Sequence, residues 1–302
     1  MADYLVTGAC GFIGSHLAEA LLADGHGVRI VDDLSSGKRE NAPDGAELLI
    51  GDVADRDLMG RAMAGMDGCF HLAAIASVQR SNEEWLATHR ANLTGTVAVF
   101  DAARELGGLP VVYASSAAVY GDNTVVPLTE DAATWPLTAY GADKLGCELH
   151  ARVATLVHGL PTVGFRFFNV YGPRQDPHSP YSGVIAIFAE RLARGAGISI
   201  FGDGGQYRDF VYVGDVLRYL LAAMARRSAE PEVFNVCTGR STTILQLAEA
   251  IGEIVGRPPA IEFGPARAGD IYESLGDPGR LIAAFGFAAE TELPEGLAVT
   301  LG

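Results

Sequence analysis

Along the first half of the chain, apolar residues follow two alternating rhythms. Short runs rich in β-branched and aromatic residues recur at Tyr4–Thr7, Val28–Val31, Glu47–Ile50, Gly68–His71, Val111–Ala114 and Thr162–Phe167. Runs of this length and composition, bounded by turn residues, predict strands. Longer amphipathic stretches lie between several of them, and the first carries Ile13, Leu17, Ala20 and Leu21 at helical spacing. Strand and helix alternating in this way predict an α/β fold: a doubly wound parallel sheet with helices on both faces. The rhythm changes near residue 170. Tyr171 to Tyr181 holds three prolines and reads as a loop. Beyond it, short strands (Ile198–Phe201, Val233–Val236) mix with helices (Val184–Arg194, Gly214–Met224, Thr243–Val255). The expected organisation is a first domain over residues 1–170, with segments near 203–240 returning to it, and a smaller C-terminal substrate-binding lobe over 171–302.

Composition narrows the function. The chain has 302 residues, of which 49% are hydrophobic and 20% charged, ordinary values for a globular protein with a large core. No apolar stretch approaches the roughly 18 residues of a membrane span. Met1-Ala2-Asp3 leads into a strand rather than a signal segment, so a cytoplasmic location is expected. The formal net charge of −15 repels nucleic acid, and no basic run offsets it. An anionic ligand therefore needs positive groups placed locally. Cys10, Cys69, Cys147 and Cys237 are widely spaced and read as reduced structural thiols. The seven histidines are scattered, and no metal site is expected.

The segment Thr7-Gly8-Ala9-Cys10-Gly11-Phe12-Ile13-Gly14 joins the first strand to the first helix. Glycines there let the backbone approach a pyrophosphate, and the helix N-terminus supplies free N–H groups and partial positive charge. The spacing is GxxGxxG, one residue longer than the usual dinucleotide fingerprint. Asp32 closes the second strand 18 residues after Gly14, where a carboxylate can accept both ribose hydroxyls of an adenosine and repel a 2′-phosphate. Asp33 adds to that repulsion. NAD is thus favoured over NADP, although Lys38 and Arg39 lie nearby. Asp52 ends the third strand, within reach of an adenine amino group.

Tyr140 and Lys144 are four residues apart, on one face of a helix. A tyrosine's ordinary pKa of about 10 is too high for a base near neutrality, but an adjacent ammonium and a positive nicotinamide ring both favour phenolate. Ser115-Ser116 follows the Val111–Ala114 strand, and a serine there can bridge the tyrosine and a substrate oxygen. Ser116, Tyr140 and Lys144 then form a proton-handling set beside a hydride carrier.

With these residues in view, the chain resembles the extended short-chain dehydrogenase/reductases, and within them the UDP-glucose/UDP-N-acetylglucosamine 4-epimerase group. The matching motifs are TGACGFIGSHL (7–17), DDLSSG (32–37), GDVAD (51–55), HLAA (71–74), ANLTGT (91–96), SSAAVYG (115–121), YGADK (140–144), FRFFNVYGPRQ (165–175), GDGGQYRDFVYVGD (202–215), FNVCTG (234–239) and RAGD (267–270). The resemblance implies a Rossmann-type domain that holds NAD. It assigns the pyrophosphate to Gly8, Gly11, Phe12, Ile13 and Gly14, and the adenosine to Asp32, Asp33, Leu34, Ser35, Gly37, Asp52 and Val53. Further cofactor contacts fall to Leu72, Ala73, Ala74, Asn92, Ala114, Ser115, Tyr140, Lys144, Phe167 and Val170. Ser116, Tyr140 and Lys144 become the catalytic set. The substrate falls to Ala76, Ser77, Ser116, Ala117, Tyr140, Asn169, Val184, Phe201, Arg208, Arg267, Asp270 and Ser274. Asn169, Arg208 and Arg267 are implied to grip the diphosphate, for which planar, permanently charged guanidinium groups are suited.

Relatives that dehydrate or decarboxylate carry acidic residues just after the catalytic serine. This chain has Ala117 and Ala118, which fit plain epimerisation. Strict glucose epimerases place a bulky tyrosine at the position of Ser274 and a lysine at that of Ala76. The small residues here leave room for an N-acetyl group, and SVQRS (77–81) and GPRQDP (172–177) also resemble the N-acetylglucosamine subgroup. The C-terminal stretch from Asp277 to Gly302 is short and reads Phe285-Gly286-Phe287 where relatives have a Leu-Gly-Trp pattern. The resemblance also implies a homodimer through helices near 92–107 and 140–157, which carry Val97, Phe100, Leu145 and Leu149; packing against the sheet explains those four equally well. Two other readings remain: a related enzyme acting on another nucleotide sugar or as a reductase, and a non-catalytic binding protein, against which the intact Ser116–Tyr140–Lys144 set argues.

Overall fold

The computed structural model describes residues 1–175, 183–266 and 271–302. In chain order the elements are β1 (Asp3–Thr7), α1 (Phe12–Ala23), β2 (Gly27–Asp32), β3 (Glu47–Ile50), α2 (Arg56–Met63), β4 (Gly68–His71), α3 (Val78–Glu83), α4 (Trp85–His89), α5 (Gly95–Glu105), β5 (Val111–Ser116), α6 (Ala139–His158) and β6 (Thr162–Phe167). They continue with β7 (Asn169–Tyr171), α7 (Val184–Ala193), β8 (Ile198–Phe201), β9 (Tyr207–Tyr212), α8 (Val213–Met224), β10 (Glu232–Val236), β11 (Ser241–Thr243), α9 (Ile244–Val255), β12 (Ile261–Gly264), α10 (Gly279–Phe285) and α11 (Leu293–Leu301). Each strand expected from the apolar runs is present. Strands β7, β9, β11 and β12 are not among those runs: β7 and β11 have only three residues each, and polar residues interrupt β9 (Arg208, Asp209) and β12 (Glu262).

A seven-stranded sheet has the order β10-β6-β5-β4-β1-β2-β3. Its run β5-β4-β1-β2-β3 is parallel, the doubly wound, Rossmann-type arrangement expected. The chain leaves β1 toward β2 on one side and reaches β4 on the other. A ligand crevice is expected outside the carboxyl ends at that reversal. The core here packs Leu5, Val31, Cys69, Val99, Val111, Tyr113 and Cys147. Strands β11-β9-β7 form a three-stranded sheet and β12-β8 a pair, with a second core of Ile185, Phe188, Ile198, Leu247, Ile251 and Leu297.

The chain divides into two compact units. One comprises Met1–Gly121, Thr134–Arg166 and Leu217–Phe234; the other comprises Asp122–Ala133, Phe167–Val216 and Asn235–Gly302. Besides small shifts at residues 167–170 and 235–240, this differs from the expected division in two places. Residues 203–216 stay with the second unit because β9 pairs with β7 and β11. Residues 122–133 join it because Leu128 N donates to Leu275 O (2.8 Å), Asp277 N donates to Leu128 O (2.8 Å), and buried Glu130 accepts from Asn235 N (2.8 Å). Among the described residues no helix is long and apolar enough to cross a membrane.

One buried polar chain crosses the first core. His71, at the end of β4, lies between Thr7 Oγ1 (2.8 Å from Nδ1) and Thr96 Oγ1 (3.0 Å from Nε2). The Thr96 hydroxyl donates to Asn92 O (2.6 Å), so it accepts from His71 and places the ring proton on Nε2. Burial, and after it the charge of Lys144, lower the His71 pKa from 6.5 to about 3. An unfolded chain takes up a proton at this residue below about pH 6.5, which the folded chain refuses until about pH 3. The stability tied to His71 is therefore full above that upper value and is lost as pH falls toward the lower one. Thermal melts at about pH 7 and about pH 5 are expected to show an acid-induced drop in Tm that is smaller in His71→Gln, which cannot titrate. An equal drop in both proteins would remove His71 as a source of the acid sensitivity.

Candidate active site

Most of the residues expected to bind the cofactor lie in the first unit, several of them just after the carboxyl ends of its strands. After β1, Gly8 adopts φ +75°, and a Cβ there would lie 2.7 Å from Ala73. The turn and the Leu72-Ala73 backbone can lie this close only because residue 8 is glycine. Leu72 N donates to Thr7 O (3.2 Å), and Ala73 N to Thr7 Oγ1 (3.2 Å). Gly11 precedes α1, whose first turn is Phe12, Ile13 and Gly14, and no side chain caps it. Its N–H groups are thus available to an anion. This is the local positive end that an acidic chain needs in order to hold a pyrophosphate.

Asp32, buried at the end of β2, accepts from Cys10 N and Leu34 N, both at 2.9 Å. Burial raises its pKa, and the two amides pull it back down. A carboxylate has about four lone-pair sites, so two stay available for ribose hydroxyls. Asp33 Oδ1 accepts from Ser35 N (2.9 Å), and Lys38 N, next to Gly37, donates to Cys10 O (2.9 Å), which seats this loop on the glycine turn. Asp52 pairs with Arg90 Nε (3.0 Å) and accepts from Ala54 N (2.8 Å). Val53 is buried, and a Cβ on Gly95 would lie 2.7 Å from it, so its side chain packs on the start of α5. These features fit NAD, with the pyrophosphate on the α1 amides and the adenosine by Asp32 and Asp52.

Asn92 sits in a π-helical turn, Arg90–Thr94, a distortion often found at functional sites. Its amide accepts from Ile75 N (2.8 Å) and donates to Ile75 O (3.1 Å). It thereby holds the segment after Ala74, which continues through exposed Ala76 to Ser77, whose Oγ caps α3 by accepting from Arg80 N (3.0 Å).

Strand β5 ends at Ala114, Ser115 and Ser116. Ser116 Oγ accepts from Ala118 N (3.2 Å), opening a tight turn through Ala117 to Tyr120. Helix α6 starts beside this turn. Thr138 Oγ1 caps it by accepting from Gly141 N (3.1 Å), and a Cβ on Gly141 would lie 2.6 Å from Ala118 O. The glycine after Tyr140 thus brings the serine turn against the tyrosine's helix. Tyr140 N donates to buried Ser81 Oγ (3.2 Å). Lys144, 3% exposed, donates to Ala114 O (2.8 Å), with its Nζ 5.8 Å from the Tyr140 ring centroid. Tyr140 and Lys144 thus share one face of α6, as their spacing suggested, the Ser116 turn lies against the start of that helix, and residues 117 and 118 are both alanine.

In the second unit, β7 registers Asn169 against Phe210 of β9. Arg208, two residues earlier on β9, lies on the same face of that sheet. Arg208 donates to Tyr207 O (2.9 Å), and Ser274 N donates to the same carbonyl (3.3 Å), which sets half-buried Ser274 beside the arginine's strand. Asp209, fully buried, accepts from Thr238 N (2.8 Å), Thr238 Oγ1 (2.7 Å) and Gly239 N (2.9 Å). Burial raises its pKa, and these donors pull it back. Buried Phe167 ends β6, Val170 lies in β7, Val184 opens α7, and Phe201 ends β8, where its carbonyl accepts from Gln206 Nε2 (2.8 Å). Arg267 and Asp270 lie outside the described residues. The sequence reading passed over Ser81, Thr138, Gly141 and Asp209. Ser81, Gly141 and Asp209 stand inside the quoted segments SVQRS, YGADK and GDGGQYRDFVYVGD, whereas Thr138 stands outside them. Among the described residues no cluster of histidine, cysteine, aspartate and glutamate could hold a metal.

The chain is 41% identical to the UDP-glucose 4-epimerase of Mycolicibacterium smegmatis, over 98% of this chain and 96% of that protein. It superposes on the crystal structure of the Thermotoga maritima UDP-glucose 4-epimerase with UDP-glucose, with TM-score 0.95, 38% identity and 99% and 97% of the two chains covered. It also superposes on the UDP-N-acetylglucosamine 4-epimerase of Methanobrevibacter ruminantium in complex with UDP-N-acetylmuramic acid, with TM-score 0.94, 36% identity and the same coverage. With residues 4–237 matching its family model, the chain belongs to the NAD dependent epimerase/dehydratase family.

Proposed function

We propose that this protein is an NAD-dependent UDP-hexose 4-epimerase, interconverting UDP-glucose with UDP-galactose and UDP-GlcNAc with UDP-GalNAc. The observation that carries the reading is the gathered Ser116, Tyr140 and Lys144, with alanines at 117 and 118 where a dehydratase or decarboxylase needs an acid. Bound NAD supplies the hydride acceptor and donor at C4 of the sugar. Tyr140 takes the proton of the C4 hydroxyl and later returns it, and Ser116 Oγ holds the same oxygen. The Lys144 ammonium, fixed by the Ala114 carbonyl, offsets the negative charge that the phenol oxygen carries before it takes that proton and again after it returns it. Asn169, Arg208 and Arg267 hold the diphosphate while the 4-keto sugar turns to offer its other face. No second proton acceptor is needed, in keeping with the alanines. Free, buried thiols at Cys10, Cys69, Cys147 and Cys237 support a reducing, cytoplasmic setting.

Purified protein without added cofactor, given UDP-glucose, UDP-GlcNAc and UDP-glucuronate separately, is expected to form the C4 epimers of the first two, read by chromatography. Tyr140→Phe is expected to lower kcat by about 100- to 10,000-fold. Absence of turnover on all three substrates, with NAD then added, would exclude this reading.

Ser274 supports the wider substrate range, since a small side chain beside the Arg208 strand leaves space for an N-acetyl group. Ser274→Tyr is expected to cut activity on UDP-GlcNAc by about tenfold or more relative to UDP-glucose; an unchanged ratio would remove Ser274 from specificity.

The protein is also read as a homodimer. On α6, Leu149, Val153, Leu156 and Val157 are 58%, 47%, 49% and 69% exposed, a stripe at helical spacing. Phe100 is buried in the first core, Val97 and Leu145 are half-buried, and Leu149 is exposed. Light scattering is expected to give twice the chain mass for the native protein and the single-chain mass for Leu149→Glu/Val153→Glu; a native monomer would dispose of the dimer.

A further inference from the structure

Behind the proton-handling set lies a buried ion pair that the reaction does not use directly. The side chains of Glu148 and Arg166 are each 7% exposed. Arg166 donates through Nε to Glu148 Oε1 (2.9 Å) and through one terminal nitrogen to Oε2 (2.7 Å), a two-bond fork. Its other terminal nitrogen donates to the Tyr120 hydroxyl (2.8 Å), and the guanidinium lies 4.9 Å from the Tyr120 ring centroid. Ser115 Oγ donates to Glu148 Oε1 at 2.5 Å.

These partners bracket the catalytic serine. Ser115 precedes Ser116, and Tyr120 ends the turn that Ser116 opens. On α6, Tyr140, Lys144 and Glu148 recur every four residues, so they share one face. Strand β5 is therefore tied to that face at two consecutive residues, Ala114 through Lys144 and Ser115 through Glu148. A buried ion pair is a weak source of stability, because desolvation offsets most of its attraction. Its value here is geometric, since a carboxylate clamped by a planar fork fixes the position of Oε1, the atom that the Ser115 hydroxyl meets.

We infer that Glu148, locked by Arg166, is a positioning residue for the epimerisation: it sets where Ser116 stands relative to Tyr140. The inference rests on the proposed reaction and adds to it a residue pair that touches neither substrate nor cofactor.

The test compares wild type, Ser115→Ala, Ser115→Thr and the apolar pair Glu148→Leu/Arg166→Met, assayed with UDP-glucose for kcat, KM, bound NAD and Tm. The apolar pair is chosen because replacing a buried ion pair on both sides is often tolerated. It is expected to lower kcat by about tenfold or more, with KM and NAD content within about twofold of wild type. Ser115→Ala is expected to show a smaller loss of the same kind, and Ser115→Thr, which keeps the hydroxyl, to restore kcat. A kcat within about twofold of wild type in both Ser115→Ala and the folded apolar pair overturns the inference. A loss that Ser115→Thr does not restore, or that tracks a fall in Tm or NAD content, also overturns it. If the apolar pair does not fold, Ser115→Ala and Ser115→Thr decide alone. A wild type that turns over no UDP-sugar sinks the proposed reaction first, whereas an active wild type with unaltered variants sinks only the positioning role.

Discussion

Where β1 ends, the chain must turn within hydrogen-bonding distance of the end of β4, and the first unit is arranged around that approach. With Gly8 N donating to Val31 O (2.9 Å) and Leu72 N to Thr7 O (3.2 Å), the turn is pinned between β2 and β4. A side chain at residue 8 would collide with Ala73. Because the turn is bare, the uncapped first turn of α1 stands open at the reversal of strand order, a locally favourable place for an anion on a chain of charge −15. Asp32 and the loop after it are then fixed to the same turn through Cys10.

The proposed proton handling depends on a second close approach, between the turn after β5 and the start of α6. Gly141 permits it, Thr138 starts the helix there, and Lys144 and Glu148 lace the helix to consecutive residues of the strand. The lysine thus has two tasks. Its bond to a backbone carbonyl is structural, and in the proposed reaction its charge near the tyrosine ring serves chemistry. The ordering of Tyr140, Lys144 and Glu148 along one helix face makes geometry and electrostatics inseparable at this site.

The second unit is built on a small sheet of short strands, the one to which the proposed function assigns the diphosphate. Asp209 stabilises it from within by gathering the amides and hydroxyl of the Thr238-Gly239 turn. The register of β7 against β9 then puts Asn169 and Arg208 on one face, and the chain from Glu273 to Ser274 runs along the start of β9.

The sequence by itself determined the alternation of strands and helices in the first half, the glycine turn with Asp32 after it, the tyrosine and lysine on one helix face, and the alanines that exclude a second acid. These are local patterns, set by spacings of two, three or four residues that backbone geometry converts directly into position. Only the tertiary structure decided that Asn92 spends its amide on Ile75, that residues 122–133 leave the first unit to pair with Leu275 and Asp277, that Glu148 meets Arg166, and that Asn169 shares a face with Arg208. Each joins residues 17 or more apart in sequence. Such partners leave no periodic trace in the chain, because what brings them together is the packing of whole strands and helices.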